Sequence, residues 1–168
     1  NWVMQIHLSV IRNQNTDITN KLGPDSGFDS VGNIVDSNSI NNFFNEIEVT
    51  SGMPKTILFT LNSVSYPILA TAAGNFSTEI PGKVQIGPAW WFCDNKDGIK
   101  ENLKVITNSG LLGLFNGMLT DSRSFTSYIR HDYFRRILCT HIGELIENGE
   151  FPDNEDYVRP VIENICYK

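Results

Sequence analysis

The tetrapeptide Thr120-Asp121-Ser122-Arg123 sets a carboxylate and a guanidinium two residues apart, just beyond the apolar run 114–120. If that run is a strand, alternation sends Asp121 and Arg123 to the same side. A carboxylate so placed can ligate a hard or borderline divalent cation. A planar guanidinium can grip a substrate carboxylate through two parallel hydrogen bonds. A local Asp–Arg ion pair with a capping role fits the same spacing. His7 ends another apolar run, with Arg12 and Asn13 just beyond it. Along this run Val3, Gln5, His7 and Ser9 share one parity, and Met4, Ile6, Leu8 and Val10 the other. The second set is expected to meet helices and the first to face a barrel interior, which brings His7 near the mouth. A satisfied structural imidazole is the competing account. Trp90 and Trp91 follow Gly87 and Pro88. Their faces suit the C–H side of a sugar and their N–H groups can donate to a hydroxyl, although an aromatic plug under a loop would look the same. Arg130, His131, Arg135 and Arg136 form a basic cluster, of the kind that is usually solvated or paired with nearby acids. His141, further on, reads as structural.

Short apolar runs alternating with amphipathic stretches must position these residues, and that alternation marks βα units. Strands are expected at 2–10, 55–61, 82–86 and about 114–120. Helices are expected at about 37–48, 63–73, 97–108 and 126–148, with a last one at 153–166 that Pro160 should kink or shorten. The long helix is the clearest element. Tyr133, Phe134, Ile137, Leu138, Ile142, Leu145 and Ile146 line one face, and Gly149 supplies a stop. Four βα units match half of a (β/α)₈ barrel, which takes about 250 residues. An open doubly wound sheet is the alternative. Active sites of such folds gather at the C-terminal ends of the strands, where His7, Trp90, Trp91, Asp121 and Arg123 fall, whereas the basic cluster lies on the long helix. Residues 11–36, rich in Asn, Asp and Gly, read as one long loop, and loops of that length are usually functional.

The chain has 168 residues, 40% of them hydrophobic, enough for one domain with a real core. Thirteen Lys+Arg against nineteen Asp+Glu give a net charge of −6, which argues against nucleic-acid and anionic-membrane partners. No apolar run reaches the roughly 18 residues of a membrane span. Cys93, Cys139 and Cys166 are odd in number and widely spaced, so reduced thiols in a cytoplasm are the expected state. GxSxG, GxGxxG, Walker and HExxH motifs are absent. The three histidines form no HxH pair, so the chain by itself holds no complete metal site. The sequon Asn75-Phe76-Ser77 is read as chance. The opening residues lack an initiator methionine and look like the middle of a longer chain.

The segment GMLTDSRSF, continuing as TSYIRHDYFRRILC, strongly resembles the end of uronate isomerases. WVMQIHLSVIRNQNT, LGPDSGFDSVG, TILFTLN, LATAAGNF and PGKVQIGPAWWFCDNKDG extend the resemblance, in order, over essentially the whole chain. It implies an α/β fold, the C-terminal half of a distorted (β/α)₈ TIM barrel of the amidohydrolase type, with residues 1–168 forming a single partial domain. It also implies aldose–ketose isomerisation of hexuronates, D-glucuronate to D-fructuronate and D-galacturonate to D-tagaturonate. In that family an HxH pair on the first strand and an Asp ending the eighth hold a divalent metal, usually zinc. By motif, Asp121 looks like that metal ligand. Asp121, Arg123 and His7 look like catalytic residues, and Trp90, Trp91, Arg12 and Arg123 like substrate-binding ones.

Three departures bear on substrate preference: Cys93 where Asn is expected, Pro88-Ala89 for Ser-Gly, and SVSYP at a helix start. The HxH half is missing, so the expected partners are a hexuronate and the N-terminal half of the barrel. Unpaired strand edges favour association, and a homo-oligomer is among the expected states. Competing readings are a non-catalytic half-barrel and another metal-dependent hydrolase of the amidohydrolase superfamily.

Overall fold

The computed structural model describes residues 2–167. Three parallel strands form the sheet: β1 (Val3–Leu8), with β2 (Val10–Ile11) and β3 (Ser30–Val31) set apart as a small antiparallel pair, then β4 (Lys55–Thr60) and β5 (Val84–Ile86). The order is β1-β4-β5, with Val3 beside Lys55, Leu8 beside Thr60, and Thr56 beside Val84. Helices α1 (Thr16–Leu22), α2 (Ser37–Ser51), α3 (Tyr66–Asn75), α4 (Lys96–Ser109), α5 (Ile129–Glu147) and α6 (Glu155–Tyr167) complete the chain.

β-Branched and aromatic residues favour the pleated backbone of β4, and each crossover helix starts on a local signal. Asp36 caps α2 by accepting the Ser39 N–H at 2.7 Å, and Asn95 caps α4 by accepting that of Gly98 at 3.0 Å. Pro67 stands in the first turn of α3, where a missing N–H costs nothing. One core collects Phe44 of α2, Leu58 of β4, Leu69 of α3, Leu103 of α4 and Leu138 of α5, all fully enclosed. Burying side chains of this size contributes about 1.5–3 kcal/mol each. Met4, Ile6 and Leu8 pack on that core as their parity requires, while Val3, Gln5 and His7 are exposed. A second, smaller cluster of Phe59, Leu61 and Trp90 lies on the other side of the sheet, at the C-terminal strand ends.

Four expectations need correction. β1 stops at Leu8, because Ser9 takes a left-handed backbone (φ +59). That turn reverses the alternation, so Val10 packs on Phe59, Leu61 and Trp90 rather than toward the helices. Residues 114–120 form no strand among the described residues. The run begins in a 3₁₀ turn, Leu112–Leu114, and is interrupted by Gly117 at φ +76, whose missing side chain lets the backbone reach the Ile165 carbonyl of α6. An added Cβ there would lie 2.0 Å from that oxygen. Three parallel strands are therefore seen where four were expected. The long loop carries α1 and the β2–β3 pair. α1 is capped by Asn15 and stopped by Gly23, and it buries no residue, so no apolar period announces it. α6 runs through Pro160, which costs it one hydrogen bond near its start rather than a turn.

Candidate active site

The loops following β1, β5 and residues 114–120 meet in an open cleft of about 1220 Å³, lined by Arg12, Trp90, Trp91, Asp121, Arg123 and Arg130 among others. Trp90 is 4% exposed, and its Nε1–H donates to Asp121 Oδ2 at 2.9 Å. His7 packs edge-on to Trp90, with ring centroids 4.7 Å apart, and stacks flat on Phe59 at 4.7 Å. His7, Trp90 and Asp121 thus form one connected group, although they are 31 or more residues apart in sequence. Gly87 is required beneath them: a Cβ there would lie 2.5 Å from the Phe59 ring. Burial holds the His7 imidazole below its ordinary pKa. The Asp121 carboxylate pushes it back up, and the Arg12 guanidinium adds to the lowering.

Asp121 and Arg123 share the cleft without forming an ion pair, and the cap before the 3₁₀ turn Phe125–Tyr128 is Ser124. The strand alternation invoked for the pair does not operate, because Asp121 sits at φ +47. Such a backbone costs a non-glycine residue roughly 1–2 kcal/mol, least for Asp and Asn. Arg12 is held by Asp29, with Nη1 to Oδ2 at 3.2 Å, and it lies 5.3 Å from the Trp91 ring centroid, a cation–π distance. Asp29, whose side chain is 2% exposed, also accepts the Asn13 N–H at 2.8 Å. Arg130 pairs with Asp94, whose side chain is 3% exposed, and donates to the Thr120 carbonyl at 3.2 Å. Of the cleft arginines, Arg123 has no carboxylate partner among the described residues, and it faces the cleft exposed.

The remaining candidates sort cleanly. His131 lines the cleft, whereas Arg136 donates to Asp132 at 2.8 Å and Arg135 lies 3.8 Å from the same acid. His141 meets the Thr107 hydroxyl at 2.8 Å and is held below the usual histidine range by burial. Cys93 is buried, donates to the Leu61 carbonyl at 3.1 Å and does not line the cleft. Burial raises its thiol pKa, so it is an inert packing residue. Residues not singled out from the sequence are Asp29, Asp94 and Phe59. Their partners lie 16 to 52 positions away, and no spacing signal links them.

Asp121 fits one position of a divalent metal site. Its Oδ2 is oriented by Trp90, and no protein hydrogen bond reaches Oδ1 among the described residues. No cluster of three His, Cys, Asp or Glu able to hold a metal occurs among those residues, so the donor set here is one ligand and not a whole site.

Parallel strands joined through helices, with Asp121 and the cleft arginines converging on the indoles that follow β5, define an α/β protein with a cleft at the sheet mouth. A sequence model of the family described as glucuronate isomerase matches residues 1–168. Uronate isomerase of Shouchella clausii is 52% identical over 167 residues, covering 99% of this chain and 35% of that protein. That of Caldanaerobacter subterraneus subsp. tengcongensis is 51% identical over 168 residues, covering 99% and 36%. Among solved structures, uronate isomerase of Thermotoga maritima superposes with a TM-score of 0.86 at 32% identity, covering 99% of this chain and 35% of that one. Glucuronate isomerase of Caulobacter crescentus gives 0.82 at 27% identity, covering 98% and 33%. The chain belongs to the glucuronate isomerase family, and it spans about a third of the length of the curated relatives it matches.

Proposed function

We propose that this chain forms the C-terminal half of a (β/α)₈ barrel and supplies one wall of a hexuronate isomerase site. The reaction is the aldose–ketose exchange of D-glucuronate with D-fructuronate, or of D-galacturonate with D-tagaturonate. The observation that carries this reading is an unpaired Arg123 sharing the cleft with an indole-anchored Asp121. A uronate brings a carboxylate at one end and a carbonyl at the other. Arg123 fits the first through its fork. The face of Trp91 offers surface for the sugar chain, while His7 packs behind Trp90 and does not itself line the cleft. Interconversion moves a proton between C1 and C2 through a cis-enediol, so the site needs a base and a positive group beside the developing enediolate. The free oxygen of Asp121 is suited to hold or pass a proton there. A divalent cation, zinc by family, would supply Lewis acidity and orient substrate oxygens. Asp121 would be its ligand from this chain, with an HxH pair in the remainder of the barrel completing the set.

The test uses the purified chain with and without the HxH-bearing part of the protein. Alone it is expected to self-associate, bind zinc weakly and leave glucuronate unchanged. With that part added, zinc binding and glucuronate–fructuronate turnover should appear together. An assembled pair that binds zinc yet turns over no uronate would overturn the proposal, and so would a stable, active monomer of these residues alone.

A further inference from the structure

We infer that Arg130 is a positioning residue for Asp121. Clamped by the buried carboxylate of Asp94, it holds the Thr120 carbonyl and so fixes the left-handed backbone that aims Asp121 into the cleft. The inference rests on the reading of Asp121 as a metal ligand.

Arg130 is the second residue of α5, where a cation opposes the helix dipole. Something outside the helix must therefore favour it there, and Asp94 does: its side chain is 3% exposed and its Oδ2 pairs with Arg130. Asp94 has little else to hold, since its Oδ1 is buried without a partner. Asp94 belongs to the loop that carries Trp90 and Trp91, and its N–H bonds the Trp91 carbonyl at 2.9 Å. Two ties thus run between this loop and the Asp121 segment. Trp90 takes the carboxylate of Asp121 at 2.9 Å, and Arg130 takes the carbonyl of the preceding residue at 3.2 Å. The Thr120 carbonyl and the Asp121 carboxylate are thus held on either side of the Asp121 N–Cα bond, whose φ is +47. Without Arg130 the peptide between Thr120 and Asp121 is free to rotate, Asp121 can relax to negative φ, and its carboxylate turns away from the cation position. Partners that orient a metal ligand commonly account for about 10–100-fold in metal affinity or activity.

The test is made in the full-length protein carrying this segment. Zinc is titrated into the metal-free protein against a chromophoric chelator, and kcat and KM are measured for D-glucuronate. Arg130→Gln leaves Asp94 charged and unpaired and can fail to fold. Arg130→Gln with Asp94→Asn leaves no orphan charge. Arg130→Lys keeps a cation beside Asp94 but cannot span both acceptors. In the double variant zinc affinity and kcat should each fall about 10–100-fold, with KM changing less. In Arg130→Lys zinc affinity should fall by several-fold, and this variant decides if the others do not fold. Zinc affinity and kcat within twofold of wild type in either folded variant, at any melting temperature, would show that the clamp only stabilises the fold. Asp121→Asn separates the two ideas. If it keeps wild-type zinc affinity, the metal reading fails and the positioning role with it. If it loses zinc while the Arg130 variants retain it, only the positioning role fails.

Discussion

Trp90→Phe removes the donor that orients Asp121 and leaves an aromatic ring in its place. The Nε1–H of Trp90 makes its one side-chain hydrogen bond among the described residues, at 2.9 Å to a carboxylate, and the residue is 4% exposed. Hydrogen bonds to charged groups are worth about 1.5–3 kcal/mol. Asp121 is exposed, so water can replace the lost donor, which favours the lower end. About 1.5 kcal/mol is close to tenfold in an equilibrium or rate ratio. The smaller ring also thins the packing on Phe59 and Leu61 and the edge contact with His7, at a cost of about 1–3 kcal/mol in stability. The assay is kcat/KM for glucuronate and zinc affinity in the full-length protein, beside a thermal melt. Trp91→Phe is the control, because Trp91 makes no side-chain hydrogen bond among the described residues and stacks on Phe92 at 4.6 Å. Trp90→Phe should lose about tenfold in both functional readouts, and Trp91→Phe clearly less in zinc affinity. A Trp90→Phe protein that melts lower but keeps both within twofold would refute the idea that the indole bond orients the carboxylate.

Three further outcomes are expected. Asp121→Asn should fold normally, since Asn tolerates the left-handed backbone best after Gly, yet lose most zinc and nearly all turnover; full metal content with near-normal rates would contradict this. Arg123→Lys keeps the charge but not the planar fork, so kcat/KM for glucuronate should drop about tenfold or more, and an unchanged value would count against a substrate-facing Arg123. His7 has a folded pKa below its unfolded one, because burial outweighs the pull of Asp121. Between the two values the unfolded chain binds the proton and the folded one does not. The contribution is therefore complete above pH about 6.5 and declines as pH falls toward the folded value. Melting temperature should fall less steeply from pH 7 to 5 in His7→Asn than in wild type. An NMR titration placing His7 above the ordinary histidine pKa would reverse the sign and refute the reasoning.

Much of the fold could be read from periodicity. α5 lies within three residues of its expected start and one of its expected end, because seven apolar residues mark a single face. β4 was equally plain, being β-branched and buried. The run 114–120 misled because apolar content alone does not make a strand. A strand also needs an edge to pair with, and this run has Gly117 turned against α6. α1 was invisible for the opposite reason, as a helix held by its caps and not by burial leaves no stripe. Arg12, Trp90, Trp91, Asp121 and Arg123 of the cleft lining were nameable from their positions and motifs, whereas Asp25, Asp29 and the couplings between residues were not, and His7 lies behind the lining. Trp90 and Asp121 are 31 residues apart, Arg130 and Asp94 are 36, and only the folded chain brings them together.

The backbone itself concentrates its left-handed non-glycine residues at this mouth. Among the described residues, the non-glycine residues at positive φ are Ser9, Asn13, Asp25, Trp91 and Asp121, and all five stand on the loops beyond β1, β5 and residues 114–120. Strain of this kind persists only where neighbours over-determine it, and each residue has an identifiable hold. The Ser9 carbonyl accepts the Gly32 N–H at 2.7 Å. Asn13 is fixed by its own N–H on Asp29, and its side chain accepts the Asp25 N–H at 3.3 Å. Trp91 is covered by Arg12, and Asp121 is tied through Trp90 and Arg130. For Asn13, Asp25 and Asp121 the side chain tolerates the left-handed region. For Trp91 it does not, and its ring, 36% exposed, is held by stacking on Phe92 at 4.6 Å and by Arg12. Relaxing Trp91 to negative φ would swing its ring off Arg12 and change the lining of the cleft. The left-handed Trp91 backbone, at φ +44, thus goes with an indole face set beside the Arg12 guanidinium on the lining of the cleft.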